Sequence, residues 1–196
     1  MKQELKKFLS QREKRRIADS GCIPAAVLMP LYCKEGQYHI LFTKRTSTVK
    51  THKGEISFPG GSYERSDGSL LNTALRESAE EIGLVSGDVE VLGELDDTVT
   101  TVSNYVISPF VALIPYPYLF RLEKNETEEI IEVPIKSLLD RHSVKQQVEY
   151  KDGRPLDEYI YIYEGRRIHG ATARILNHFL DIWTEVVGDT HCAMKD

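Results

Sequence analysis

Cysteine is scarce: Cys22, Cys33 and Cys192 are the only three in 196 residues, and none has paired C-x-x-C spacing. That excludes a zinc ribbon or a thioredoxin-like centre, and scattered thiols in odd number read as idle groups in a reducing compartment. An apolar run of 18 residues is also lacking, so no transmembrane helix is expected. Residues 1–16 carry charges throughout and have no apolar segment of the kind a secretory signal requires; the expectation is a cytoplasmic chain that engages no membrane. Positive charge is not in excess either. Lys and Arg total 25 against 30 Asp and Glu, a net charge of -5, which gives no support to a bulk nucleic-acid binder. Internal repeats and low-complexity tracts are absent, and a composition 41% hydrophobic and 28% charged is that of an ordinary globular protein.

What is present fits one domain with additions. Residues 1–20 form an amphipathic helical extension with Leu5, Phe8 and Leu9 on one stripe, read as a packing element in preference to a basic partner-binding segment. Residues 21–188 form the domain and 189–196 a tail. Residues 23–32 and 38–42 read as two antiparallel strands joined by a turn, and residues 43–57 as a polar, basic loop that ends in Phe58-Pro59-Gly60-Gly61. Over residues 69–82 the pattern becomes helical, with Leu71, Leu75, Ser78 and Ile82 stacked and Gly83 at the stop. Strands are expected at 89–95, 110–114, 130–133 and 159–163, a short helix up to Leu139, and a second amphipathic helix over 171–187 with Phe179 and Trp183 in its buried stripe. Together these suggest an α/β fold, a mixed sheet with helices on both faces forming an α/β/α sandwich.

Glu77, Glu80 and Glu81 stand at i, i+3 and i+4 on the first of these helices and share one side of it. Clustered like charges repel, and a hard divalent cation bound by their oxygens removes that penalty. Mg2+ suits an incomplete carboxylate cage completed by waters and phosphate oxygens. An E-x-x-E-E run on a polar helix side is by itself most often a solvated surface. Here, however, a Gly-Gly loop precedes it and Gly83-Leu84 closes it.

The stretch from Gly61 to Leu84 resembles the box of the Nudix hydrolases, G-x5-E-x7-R-E-U-x-E-E-x-G-U with U apolar. Two departures appear: Asp67 takes the first acidic position with eight residues before Arg76, and Ser78 replaces an apolar residue. Leu41-Phe42-Thr43-Lys44-Arg45-Thr46, Lys50, Gly54 and Phe58-Pro59-Gly60-Gly61 are similar to the signature of the branch that includes coenzyme A diphosphatases, with Lys50 where that signature has arginine. Ser103-Asn104-Tyr105, Pro109-Phe110-Val111 and Gly170-Ala171-Thr172-Ala173 extend the likeness.

The resemblance implies a Nudix-like sandwich, with Mg2+, or Mn2+ in its place, held by Glu77, Glu80, Glu81 and the backbone carbonyl of the Gly60-Gly61 turn at Gly61. It further implies that Arg76 orients a carboxylate. Glu80 is the first candidate for the base, with Glu126, Glu128 and Glu129 as alternatives. Arg45, Lys50, His52 and Lys53, with Gly60, would meet the 3'-phosphate or the diphosphate of the substrate. The partner implied is a small-molecule nucleotide diphosphate: coenzyme A or an acyl derivative, giving 3',5'-ADP and 4'-phosphopantetheine. The alternatives are ADP-ribose or another nucleoside diphosphate derivative, and, from another class, a catalytically silent nucleotide sensor. Oligomeric state stays open, a homodimer included.

Overall fold

A computed structural model describes residues 1–18, 21–46, 54–100, 102–151 and 154–188. In chain order the elements are α1 (Lys2–Gln11), β1 (Ile23–Lys34), β2 (Gln37–Arg45), β3 (Ile56–Ser57), β4 (Gly60–Ser62), α2 (Leu70–Ile82), β5 (Glu90–Glu94) and β6 (Thr98–Val99). They continue with β7 (Tyr105–Leu113), β8 (Thr127–Pro134), α3 (Ile135–Leu139), β9 (Val144–Lys151), β10 (Arg154–Tyr163), β11 (Arg166–Ile168) and α4 (Gly170–Val186).

β1 and β2 are joined by Glu35 and Gly36, both at positive φ (52° and 73°), the turn whose twist matches that of a hairpin. β1 is apolar on both sides. Ala26, Leu28 and Tyr32 enter one core, while Met29 and Leu31 enter the other, so the strand is covered above and below. It pairs parallel with β7, from Ile23 opposite Tyr105 to Leu31 opposite Leu113. Antiparallel neighbours complete one mixed sheet in the order β3-β2-β1-β7-β5, with β4 on β1, β6 on β7 and β8 on β2.

On one side of this sheet α2 buries Ala74 and Ile82 with Leu28, Leu41 and Phe110. On the other, Leu5 and Leu9 of α1 and Phe179 and Trp183 of α4 pack with Met29, Phe42 and Val111. This is the expected α/β/α sandwich. Close packing fixes α1 on the sheet: at Gly93 a Cβ would lie 2.5 Å from Leu9 Cβ. The chain after α1 is tied down as well, with Lys14 Nζ 2.9 Å from Asp97 Oδ1 and the Ile17 amide donating to Asp97 Oδ2 at 3.0 Å. Among the described residues no helix is long and apolar enough to cross a membrane.

Several elements depart from expectation. The polar loop read over 43–57 begins later, because β2 continues to Arg45 and Ile56–Ser57 pairs with it as β3; backbone pairing, not apolarity, makes these strand. Residues 47–53, with the expected phosphate contacts Lys50, His52 and Lys53, lie outside the described residues. β9, β10 and β11 form a second, antiparallel sheet. The polar β9 gave no alternating signal. On α2 the fully buried stripe is Ala74, Ser78 and Ile82, whereas Leu71 and Leu75 are half-buried. The Cys22 thiol donates to Asn104 Oδ1 at 3.3 Å, and Cys33 is disulfide-bonded, so the reading of every cysteine as a buried or idle thiol fails at Cys33.

Candidate active site

α2 starts at Ser69, whose side chain accepts from the Asn72 amide at 3.2 Å, and stops at Gly83 in the left-handed region (φ 70°), as capping requires. Ser78 is fully buried, and its hydroxyl donates to the Ala74 carbonyl at 2.7 Å; a small, satisfied side chain therefore fits where the box has an apolar one. The three carboxylates are not equivalent. Side-chain exposure runs from 5% at Glu81 through 17% at Glu77 to 57% at Glu80. The helix turns Glu81 toward the sheet and Glu80 toward solvent, so the expectation of one shared polar side is corrected: Glu81 belongs to the buried side.

The Phe58-Pro59-Gly60-Gly61 turn brings backbone against these carboxylates. The Leu28 amide donates to the Pro59 carbonyl at 2.9 Å, and β4 pairs with β1, Gly60 opposite Val27 and Gly61 opposite Ala26. At Gly60 a Cβ would meet the Ala26 carbonyl oxygen at 2.3 Å, and at Gly61 it would meet Glu77 Cδ at 2.4 Å. Only glycine allows both close approaches.

Electrostatics follow the burial. Burial pushes the Glu81 carboxyl up to about 8; Arg45 and the Gly60 amide oppose this, and Glu77 adds to it. Burial likewise raises Glu77, against Arg76. Glu81 Oε2 is buried without a hydrogen-bond partner.

Arg76 holds the box together. It donates from Nε to Asp67 Oδ1 at 2.8 Å and from Nη2 to Asp67 Oδ2 at 3.2 Å, while Nη1 lies 3.0 Å from both Glu77 Oε1 and Glu80 Oε2. The oriented carboxylate expected of Arg76 is thus chiefly Asp67. Sequence reading noticed Asp67 only as a departure from the box.

Glu77, Glu81, Gly60, Gly61 and Arg45 line a cavity of about 510 Å3. Glu126 also lines it, whereas Glu80 is not among the lining residues. Glu128 pairs with Lys44 at 2.7 Å and Glu129 with Arg166 at 2.5 Å, so of the three acidic alternatives one faces the cavity. The far wall holds Thr100, Val102, Tyr105 and the first turn of α4 at His169 and Thr172. No role was assigned to these from sequence, although the family likeness ran through their neighbourhood. Only the parallel pairing of β1 with β7 and the docking of α4 bring them opposite α2.

As the side chains stand, no three Asp, Glu, His or Cys side chains among the described residues form a ready-made metal-binding group, and Glu80 is turned toward Arg76. The donors nevertheless fit a hard divalent ion: the half-buried Glu77 and the buried Glu81 side by side, the latter with an unpartnered oxygen, next to a backbone turn. A cation is what would relieve their shared desolvation and repulsion.

A sandwich with such a helix beside a Gly-Gly turn defines a class of metal-assisted phosphate-anhydride hydrolases. The profile of the NUDIX domain matches residues 23–159, and the chain belongs to the Nudix family. It is a Nudix hydrolase, an enzyme acting on nucleoside diphosphate derivatives, and the family depends in general on divalent metal ions. An uncharacterized Nudix hydrolase, NudL, of Photorhabdus laumondii is 34% identical over 163 residues, 83% of this chain and 86% of its own. NudL of Yersinia pestis is 33% identical over 154 residues, 79% and 76% of the two chains. Among solved structures, a MutT/nudix family protein from Enterococcus faecalis matches with a TM-score of 0.54 at 15% identity, covering 94% of this chain and 69% of that one. An Ap4A hydrolase of C. elegans matches at 0.50 and 15%, covering 60% and 83%. At such identity these two support the fold alone.

Proposed function

We propose that the chain hydrolyses the diphosphate linkage of coenzyme A or an acyl-coenzyme A with Mg2+, releasing 3',5'-ADP and 4'-phosphopantetheine or its acyl form. The observation that carries the chemistry is the pair of the half-buried Glu77 and the buried Glu81 beside Gly61, both lining the cavity, with Glu81 Oε2 unpartnered. The choice of substrate is supported by the stretch from Leu41 to Gly61, which resembles the coenzyme A diphosphatase branch.

Glu77, Glu81 and the Gly61 carbonyl would hold the ion. When bound, it would polarise the diphosphate oxygens and lower the pKa of a coordinated water. Arg76 keeps Glu77 oriented by its bond to Oε1 while its other nitrogens are anchored on Asp67. A carboxylate oxygen must accept the proton that the attacking water sheds. We assign this role to Glu126, which faces the cavity, rather than to Glu80, which is exposed and bonded to Arg76.

The test is a product assay with Mg2+ or Mn2+ across coenzyme A, dephospho-coenzyme A, ADP-ribose, NADH and dinucleoside polyphosphates. Release of 3',5'-ADP from coenzyme A with the highest kcat/KM of the panel is expected. A tenfold preference for ADP-ribose, about 1.4 kcal/mol in transition-state binding, would overturn the coenzyme A assignment.

A further inference from the structure

We propose that Arg45 clamps the scissile diphosphate itself, beside Glu81, rather than recognising a phosphate elsewhere on the substrate. The proposal rests on the diphosphatase reading above and gives one of its residues a place at the reacting bond.

Arg45 ends β2, on the same side as Leu41, which packs in the core beneath α2. Its backbone is fixed, because its amide donates to the Glu55 carbonyl at 3.0 Å. The next residue, Thr46, donates from its amide to Glu126 O at 2.9 Å and from its hydroxyl to Asn125 O at 3.0 Å. Pairing with β8 shifts register at this point, Lys44 opposite Glu129 and Arg45 opposite Thr127. Such irregularities re-aim side chains next to functional sites. Here the shift leaves Glu128 outside with Lys44 and sets Arg45 and Glu126 together on the cavity wall.

The guanidinium then lies against the carboxylate without bonding to it. Nη1 is 3.7 Å from Glu81 Oε1, too far for a hydrogen bond. Arg45 Nε and Glu81 Oε2 are both buried and without hydrogen-bond partners. Buried donors and acceptors are nearly always paired, so an unpaired donor and an unpaired acceptor at one place call for a third party. A guanidinium fork matches the non-bridging oxygens of phosphate. The carboxylate matches a divalent cation.

Charge sharpens the point. Among the described residues that line the cavity, Arg45 is the only lysine or arginine, against five glutamates: Glu55, Glu64, Glu77, Glu81 and Glu126. Among the described residues, the cation that a polyanion entering this cavity meets is Arg45, and it stands at the carboxylates. When the water oxygen bonds to phosphorus and the bridging P–O bond breaks, the electron pair stays on the leaving phosphate. Arg45 donates its N–H groups to that phosphate and needs no proton transfer to do so, since guanidinium stays charged.

The experiment compares the wild type with Arg45→Ala and Arg45→Lys on coenzyme A and dephospho-coenzyme A, which share the diphosphate and differ in the 3'-phosphate. A clamp on the diphosphate lowers kcat/KM by about 30-fold or more in Arg45→Ala, by the same factor on both substrates, with Arg45→Lys in between because it keeps charge but not the fork. A loss seen on coenzyme A and absent on dephospho-coenzyme A would assign Arg45 to the 3'-phosphate and overturn the proposal. Calorimetric binding of imidodiphosphate, a non-hydrolysable diphosphate, gives a readout apart from turnover. Its Kd, measured with Mg2+ and again with EDTA, should weaken about tenfold in Arg45→Ala, and an unchanged Kd in both conditions would again overturn it. Should the wild type prefer another diphosphate of the panel, the same comparison is made on that substrate, so coenzyme A specificity can fail while the clamp stands. A wild type that neither binds imidodiphosphate nor splits any diphosphate would remove both readings.

Discussion

Arg76 grips Asp67 with two bonds, Nε to Oδ1 at 2.8 Å and Nη2 to Oδ2 at 3.2 Å, and the grip spans the one-residue-longer loop of the box. Asp67 is a hub as well as a partner. Its Oδ2 also accepts from the Thr73 hydroxyl at 2.8 Å and the Glu64 amide at 3.0 Å, and these contacts, the Arg76 bonds foremost, hold its carboxyl below the usual carboxylate range. The same guanidinium touches Glu77, so Asp67 positions a cavity carboxylate at second hand. Asp67→Asn keeps the size but removes the charge and lets Arg76 swing toward Glu77 and Glu80. Supporting partners of this kind typically matter by about 10–100-fold in activity. The expected result is such a fall in kcat, with the apparent Mg2+ requirement raised, measured by initial rates over a metal titration. Unchanged kinetics would mean that Arg76 needs no anionic anchor.

The sequence carried the site's charged inventory but not its depth. Periodicity and caps located α2 to within a residue, because Ser69 and Gly83 are unambiguous punctuation. It also put three glutamates on a common polar side, and that failed at Glu81. A helical wheel cannot tell that Ala74 and Ser78 face the sheet in preference to Leu71 and Leu75, which depends on how closely α2 approaches β1 and β4. The alternation of core residues made β1 and β2 legible, while β9 and the start of β10 were not, since they pair with each other in a small separate sheet and their polar sequence carries no apolar alternation. The acidic run Glu126, Glu128 and Glu129 was read as three equivalent alternatives. The register shift against β2 distinguishes them, and no local pattern announces it.

That distinction is open to test by single substitutions. Glu128 and Glu129 are engaged on the surface by Lys44 and Arg166, and exposed pairs of this kind are worth about 0–1 kcal/mol. Glu126 lines the cavity. Glu126→Gln should therefore lower kcat by about 100-fold or more, the usual worth of a general base. Glu128→Gln and Glu129→Gln should stay within about twofold of the wild type. If Glu80→Gln instead produced the larger loss, the base would lie on α2.

The carboxylates Glu81, buried, and Glu77, half-buried, predict a trade between function and stability. Burial raises Glu81 to about 8 and raises Glu77 as well. A carboxyl whose folded pKa exceeds its unfolded value favours folding while protonated. Its contribution is complete below the unfolded value near 4.5 and is lost as pH rises through about 8. The metal-free protein should thus lose stability across that window, by an amount on the order of 4 kcal/mol for a shift of this size in a nearly fully buried group. Glu81→Gln should remove most of the slope and raise Tm in EDTA at pH 8, while Glu81→Gln and Glu77→Gln each lower turnover by about 100-fold or more. Mg2+ should raise the Tm of the wild type and not that of Glu81→Gln. Thermal melts at pH 5 and pH 8, with EDTA and with Mg2+, check the stability changes and initial rates with Mg2+ the turnover, and a wild-type Tm independent of pH in EDTA would contradict the stability argument.

Gly60 and Gly61 are adjacent, yet a methyl group at each should fail in a different way. At Gly60 the added Cβ would lie 2.3 Å from the Ala26 carbonyl oxygen and 2.6 Å from Val27 Cα, and φ is +155°. Those are backbone atoms of β1, paired on its other edge with β7, and they have nowhere to go. Gly60→Ala should therefore lower Tm markedly, since overpacking against a well-packed layer costs about 1–3 kcal/mol or more. At Gly61 the three nearest atoms to the Cβ would be the far end of one side chain, Glu77 Cδ at 2.4 Å and its two oxygens at 2.5 and 2.6 Å. That carboxylate can rotate away, so Gly61→Ala should fold with nearly wild-type Tm. The rotation, however, carries Glu77 off the position that Arg76 Nη1 holds at 3.0 Å. A displacement of about 1 Å at a reacting centre can cost about 100-fold in rate, and a loss of that order in kcat with an intact melting transition is the expected signature. Full activity in a well-folded Gly61→Ala protein would mean that the approach of Glu77 to this turn is not needed for chemistry.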